Sequence, residues 1–155
     1  MPFPIHSLLP FALALSLIGI TGCEHLESVR APFLDRYADA LLGRIPGRYT
    51  GLENPLPPDR SGSGEALYRT HCVACHGERG RGDGPLAASL SPPPADLSRS
   101  LALPVVTDAF ILWAIEEGGE RYGSAMPAFG DRLTRNQIWQ IARFLERNIT
   151  LNDTR

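Results

Sequence analysis

His71, Cys72, Cys75 and His76 place two thiols and two imidazoles within six residues. Donors of this kind bind metals, close disulfides or carry redox chemistry. Zinc needs four ligands, and tetrahedral sites usually draw a second pair from elsewhere in the chain. The third cysteine, Cys23, and the other histidines, His6 and His25, lie near the N-terminus, so no second pair exists. A redox-active C-x-x-C normally accompanies a βαβ pattern, which this sequence lacks. A structural disulfide between Cys72 and Cys75 fits an exported protein.

A fourth reading uses the histidine as well. "CVACH", Cys72 to His76, has the C-x-x-C-H form to which haem is attached covalently. Thiols about one helical turn apart add to the two vinyl groups on one porphyrin edge. The adjacent imidazole then lies under the iron. A second axial ligand is usually methionine or histidine. Besides Met1 the chain has one methionine, Met126, 50 residues after His76 in "GSAMPAFG". Pro127 biases Met126 toward extended backbone, and the flanking glycines permit a strap across the far face. His71 adjoins Cys72 on the near side and cannot reach around the ring.

Elements must hold these groups in place. The 155 residues comprise 14 prolines and 15 glycines, and few segments alternate as strands do. The expectation is a loop-rich, all-α fold. Ser63 is a candidate cap for a helix running into Cys72, and Thr107 for a second that Gly118 and Gly119 stop. Thr134 with Gln137 forms a capping-box pattern opening a third, whose apolar stripe is Ile138, Ile141, Ala142 and Leu145. A short turn is expected at Leu86 to Leu90. Helical material is scarce for the loops it supports, which points to a bulky group at the centre of a small core.

The 15 basic residues are all arginine; against 17 acidic residues they leave a net charge of −2. This balance argues against nucleic acid or an anionic membrane surface as a partner. Leu8 to Ile20 is an uncharged apolar run of 13 residues, short for a membrane span and suited to a secretory signal. It leads into "ITGC", Ile20 to Cys23, which resembles a bacterial lipobox. That resemblance implies cleavage before Cys23 and a lipid on its thiol. The alternative is an uncleaved anchor over Pro2 to Gly22. Both tie the N-terminus to a membrane, with the rest on the periplasmic or extracellular side. The organisation expected is a signal at 1–22, a tether and linker at 23–60, and a compact domain at 61–155. Within the tether, "APFLDRYADALLGR" has one apolar helical face, and the 17 residues from Arg44 read as flexible chain spanning about 20–25 Å.

"CVACHG" near the start of the domain, "MPAF" late and a helix after it together resemble class I mono-haem cytochromes c, over about Asn54 to Asn148. The resemblance implies a small cytochrome c fold, three main helices and long loops around one covalent haem c. Cys72 and Cys75 would carry the thioethers, and His76 and Met126 would be the axial ligands. The first and last helices of that family cross closely at a glycine and an aromatic pair, here Gly64, Tyr68 and Phe144. A proline carbonyl orients the ligand histidine, and Pro85 is the best match. Arg99, Arg121 and Arg132, with Trp113 and Trp139, are candidates for the propionates or, alternatively, surface and core residues.

The resemblance implies one-electron transfer rather than catalysis on a small molecule, at a positive midpoint potential. It implies redox partner proteins met weakly and briefly. Alternatives are a fixed haem subunit of a larger membrane respiratory complex, or a haem sensor or peroxidase if the sixth position is open.

Overall fold

The computed structural model describes residues 38–39, 44–58 and 62–149. Five α-helices occur among the described residues, and no strand: α1 Ser63–His71, α2 Val73–His76, α3 Leu97–Ser100, α4 Asp108–Glu117 and α5 Arg135–Phe144. Turns of 3-10 type lie at Ala87–Ser89 and Glu120–Tyr122, and one π turn, Leu145–Ile149, extends α5. None of the described helices is long and apolar enough to cross a membrane. Cys23, the apolar run before it and most of the expected amphipathic helix lie outside the described residues.

The caps explain where the three longer helices begin. Thr107 Oγ1 accepts from the Phe110 amide at 3.3 Å and opens α4. Thr134 and Gln137 form the reciprocal capping box of α5. α1 differs: Gly62, at φ +76°, takes the N-cap, and Ser63 is the first helical residue. The left-handed turn entering the helix requires the residue without a Cβ. α3 was not anticipated. Asp96 caps it, accepting from the Ser98 and Arg99 amides, and an Asp after "PPPA" was a legible start signal.

α5 is central and packs on both α1 and α4. Its stripe Ile138, Ile141, Ala142 and Leu145 is at most 5% exposed. On α4, Leu112 and Trp113 are as deeply buried. Where α1 meets α5, a Cβ on Gly64 would lie 2.1 Å from the Gln140 carbonyl oxygen and 3.0 Å from Phe144 Cβ. Close approach of the two backbones thus requires glycine here. Tyr68 and Phe144 stack beside it, ring centroids 5.1 Å apart, and Tyr68 Oη donates to the Gly77 carbonyl at 2.8 Å.

The stretch 44–58, read above as flexible linker, is folded against the helices. Tyr49 and Asn54 are buried. Asn54 Nδ2 donates to the Trp139 carbonyl at 2.9 Å, and its amide to Asp108 Oδ2 at 2.7 Å. Arg143 clamps the same strap, donating to the Asn54 carbonyl at 2.7 Å and the Leu56 carbonyl at 2.8 Å. Arg48 pairs with Glu117. Proline, glycine and polar content signals irregular backbone, but two buried side chains and a helix-borne arginine are enough to bind such backbone to a core. Asp39, further up the chain, accepts from Tyr122 Oη at 2.9 Å.

Candidate functional site

α1 breaks at Cys72, which caps the four-residue α2. The motif therefore runs through a helix end. His76 N–H bonds Cys72 O at 2.9 Å, and Gly77, at φ +76°, closes α2. The glycine run then folds back under it. The amides of Gly82, Gly84 and Leu86 donate to the carbonyls of His76, Cys75 and Ala74 at 2.9, 3.2 and 2.9 Å. Helix-end carbonyls without intrahelical partners are thus satisfied by the loop. A Cβ on Gly84 would sit 2.4 Å from Val73 O, so the loop comes this close only as glycine.

This arrangement corrects the expectation for Pro85. His76 Nδ1 donates to the carbonyl of Ala95, at 3.1 Å. The backbone around Pro85 is committed to the α2 carbonyls. The 92–94 prolines have no amide hydrogens, and Ala95, next in line, presents its carbonyl to the imidazole. The Asp96 cap of α3 fixes the next residue. Because a carbonyl only accepts, Nδ1 carries the proton and Nε2 keeps its lone pair. Burial holds the imidazole below its ordinary pKa, against the opposing effect of the Ala95 bond, and so favours the neutral, ligating form.

Cys72 and Cys75 are free thiols. Burial, then the neighbouring Cys75, pushes Cys72 up to about 12. Among the described residues no group of three or more His, Cys, Asp or Glu is placed to hold a metal ion. No further donors therefore gather around the motif, among the described residues, to complete a zinc site.

Cys72, Cys75 and His76 line a cavity of about 620 Å³, and Met126 lines the same cavity from the loop between α4 and α5. Between them the lining is chiefly apolar, including Phe110, Ile111, Ile115, Ile141 and Leu145 from α4 and the α5 region. The volume suits a cofactor. Two thiols, a neutral imidazole with a free Nε2, a thioether and an apolar surround fit a haem and no hydrated ion. Arg132 also lines the cavity, with its guanidinium 4.5 Å from the Phe129 ring centroid. Arg99, Arg121, Trp113 and Trp139 are not among the lining residues. His71 reaches the cavity too, its ring edge-on to Phe129 at 6.0 Å. Ala95 is the functional residue that sequence reasoning missed. The triple proline before a capped helix was the available signal.

Fold and site together define a small all-α, mono-haem c-type cytochrome. Residues 60–145 match the family model described as "Cytochrome C oxidase, cbb3-type, subunit III", over half of the chain, and the protein belongs to that family. Its cofactor is covalent haem c, and its domain is one for haem-based electron transfer. No curated protein and no solved structure matches the chain.

Proposed function

We propose that the protein is a membrane-tethered one-electron carrier of a respiratory chain, with Cys72 and Cys75 as the thioether residues and His76 and Met126 as the axial pair. The observation that carries this reading is the single cavity whose lining includes Cys72, Cys75 and His76 together with Met126. When bound, the haem supplies an iron that cycles between ferrous and ferric. The chain's own residues do the rest. Ala95 holds the His76 proton at Nδ1 and leaves Nε2 for the iron. Apolar residues from α4 and α5 exclude water and disfavour the added charge of the ferric state, which supports a positive midpoint potential. With His76 and Met126 both held to the iron, no coordination site would remain for a substrate.

Export, processing at Cys23 and lipid attachment there belong to the same proposal. The tether would be residues 24–37, because Asp39 and the strap 44–58 bond to the domain; the partners would be redox proteins. Two measurements test the reading. Mass spectrometry of the mature protein should report one haem and a lipidated Cys23. The ferric spectrum should show the methionine–iron charge-transfer band, and the reduced form should bind CO poorly. Absence of that band with ready CO binding rejects Met126 and favours a sensor or peroxidase.

The family description, which names an oxidase subunit, favours a second reading: a fixed haem subunit of a membrane complex. Size exclusion of detergent extracts separates the two. Migration as a monomer rejects the subunit reading, and co-migration with a larger assembly rejects the lone carrier.

A further inference from the structure

The Met126 loop is bonded to one end of α4, and that end is Gly118–Gly119. The Gly119 amide donates to the Met126 carbonyl at 2.8 Å. The Ser124 amide donates to the Gly119 carbonyl at 3.2 Å, and the Met126 amide to Ser124 Oγ at 3.3 Å. Both polar groups of the Met126 backbone are therefore held. Further along, the amides of Phe129 and Gly130 donate to the carbonyls of Ile115 and Glu116, each at 3.0 Å. The loop thus closes off the C-terminal carbonyls of a helix whose Leu112 and Trp113 are almost fully buried. The loop is thereby an extension of the core.

The approach is closer than any side chain at these two positions allows. Gly118 has φ +66°, and a Cβ there would lie 2.5 Å from Pro127 C and Ala128 N and 2.8 Å from Met126 O. All three are backbone atoms, so relief requires moving the loop itself. A Cβ on Gly119 would meet Ser124 Oγ at 2.0 Å and Met126 Cβ at 3.3 Å. The serine hydroxyl can turn away only by abandoning the Met126 amide.

We infer that Gly118 and Gly119 are positioning residues for Met126: they form the seat that sets how far its thioether reaches into the cavity. The inference rests on the reading that Met126 is the axial ligand. Their role as helix terminators is a separate, local matter. A terminator needs only one left-handed glycine, whereas the seat needs Gly118 against the loop backbone and, with Ser124 in place, a second position without Cβ at Gly119.

The test uses the full-length haem-loaded protein in four variants: Gly118→Ala, Gly119→Ala, Gly119→Ala/Ser124→Ala and Met126→Ala. The readouts are the methionine–iron charge-transfer band and CO affinity of the reduced form. Gly118→Ala is expected to lose the band and to bind CO about tenfold or more tightly, the scale of coupling between residues in direct contact. Gly119→Ala is expected to weaken the band, and the double variant to regain it in part, because removing the hydroxyl clears the 2.0 Å clash while the Met126 amide loses the same partner. A merely structural role would not produce that reversal. If Gly118→Ala fails to fold, the Gly119 pair decides. Bands and CO affinity unchanged in the folded glycine variants, with the band lost in Met126→Ala, overturn this inference alone. A band that survives in Met126→Ala overturns the ligand assignment and the inference with it.

Discussion

Replacing Asn54 by alanine separates a folded strap from a flexible linker. The side chain is 6% exposed; Nδ2 donates to the Trp139 carbonyl at 2.9 Å and Oδ1 accepts from the Leu56 amide at 3.1 Å. Each bond contributes about 1 kcal/mol net, and a buried group stranded without a partner costs about 1–3 kcal/mol. Leu56 is half-buried, so water can reach its amide; Trp139 is 5% exposed, so its carbonyl is left poorly solvated. The expected loss is about 2–3 kcal/mol, or a Tm drop of roughly 10–20 °C for a domain of this size. Denaturant unfolding of the haem-loaded protein measures it. The midpoint should fall with the slope unchanged, since the same surface is exposed on unfolding. Asn54→Asp should lose at least as much, because it trades the amide donor for a carboxylate facing the Trp139 carbonyl and near Asp108. A loss below about 0.5 kcal/mol, typical of a surface site, would refute the claim that residues 44–58 are part of the domain.

Gly64→Ala should cost about 1–3 kcal/mol or more and lower the yield of folded protein, because its Cβ would meet the Gln140 carbonyl on an opposing helix, a contact that only backbone movement relieves; thermal unfolding against wild type reports it. Asp96→Ala should cost about 1 kcal/mol through the lost α3 cap. It should also loosen the Ala95 carbonyl on His76, leaving a less basic imidazole that stabilises the ferric state less, read as a raised midpoint potential in redox titration. Burial would raise the Glu116 carboxyl, but hydrogen bonds from Arg135 and Tyr49 and the nearby Arg135 and Arg48 charges outweigh it and hold the group below its ordinary 4.5. Its contribution is therefore present above 4.5 and lost as pH falls through the depressed value, and Arg135→Gln should flatten that acid-side loss in unfolding midpoints measured against pH.

Spacing alone determined the haem motif, the lone late methionine, the capping box of α5 and its apolar stripe. These are local facts: a C-x-x-C-H run, a Thr-x-x-Gln step and a 3.6-residue period are each written within a few residues. The all-α class followed from the same signals, together with the lack of alternation. Glycine and proline content marked 44–58 as irregular but could not say that Tyr49 and Asn54 are buried, since that depends on Trp139, Asp108 and Arg143, some 54 to 89 residues away. The partner of His76 was undecidable for a similar reason. Pro85 and Ala95 both follow the histidine in a proline-bearing loop. Only the folded chain shows that the backbone around Pro85 is committed to the α2 carbonyls while the amide-free proline run delivers Ala95. The sequence by itself offered the candidate donors; the tertiary structure decided which backbone groups hold them, because hydrogen bonds between distant segments leave no periodic trace in either one.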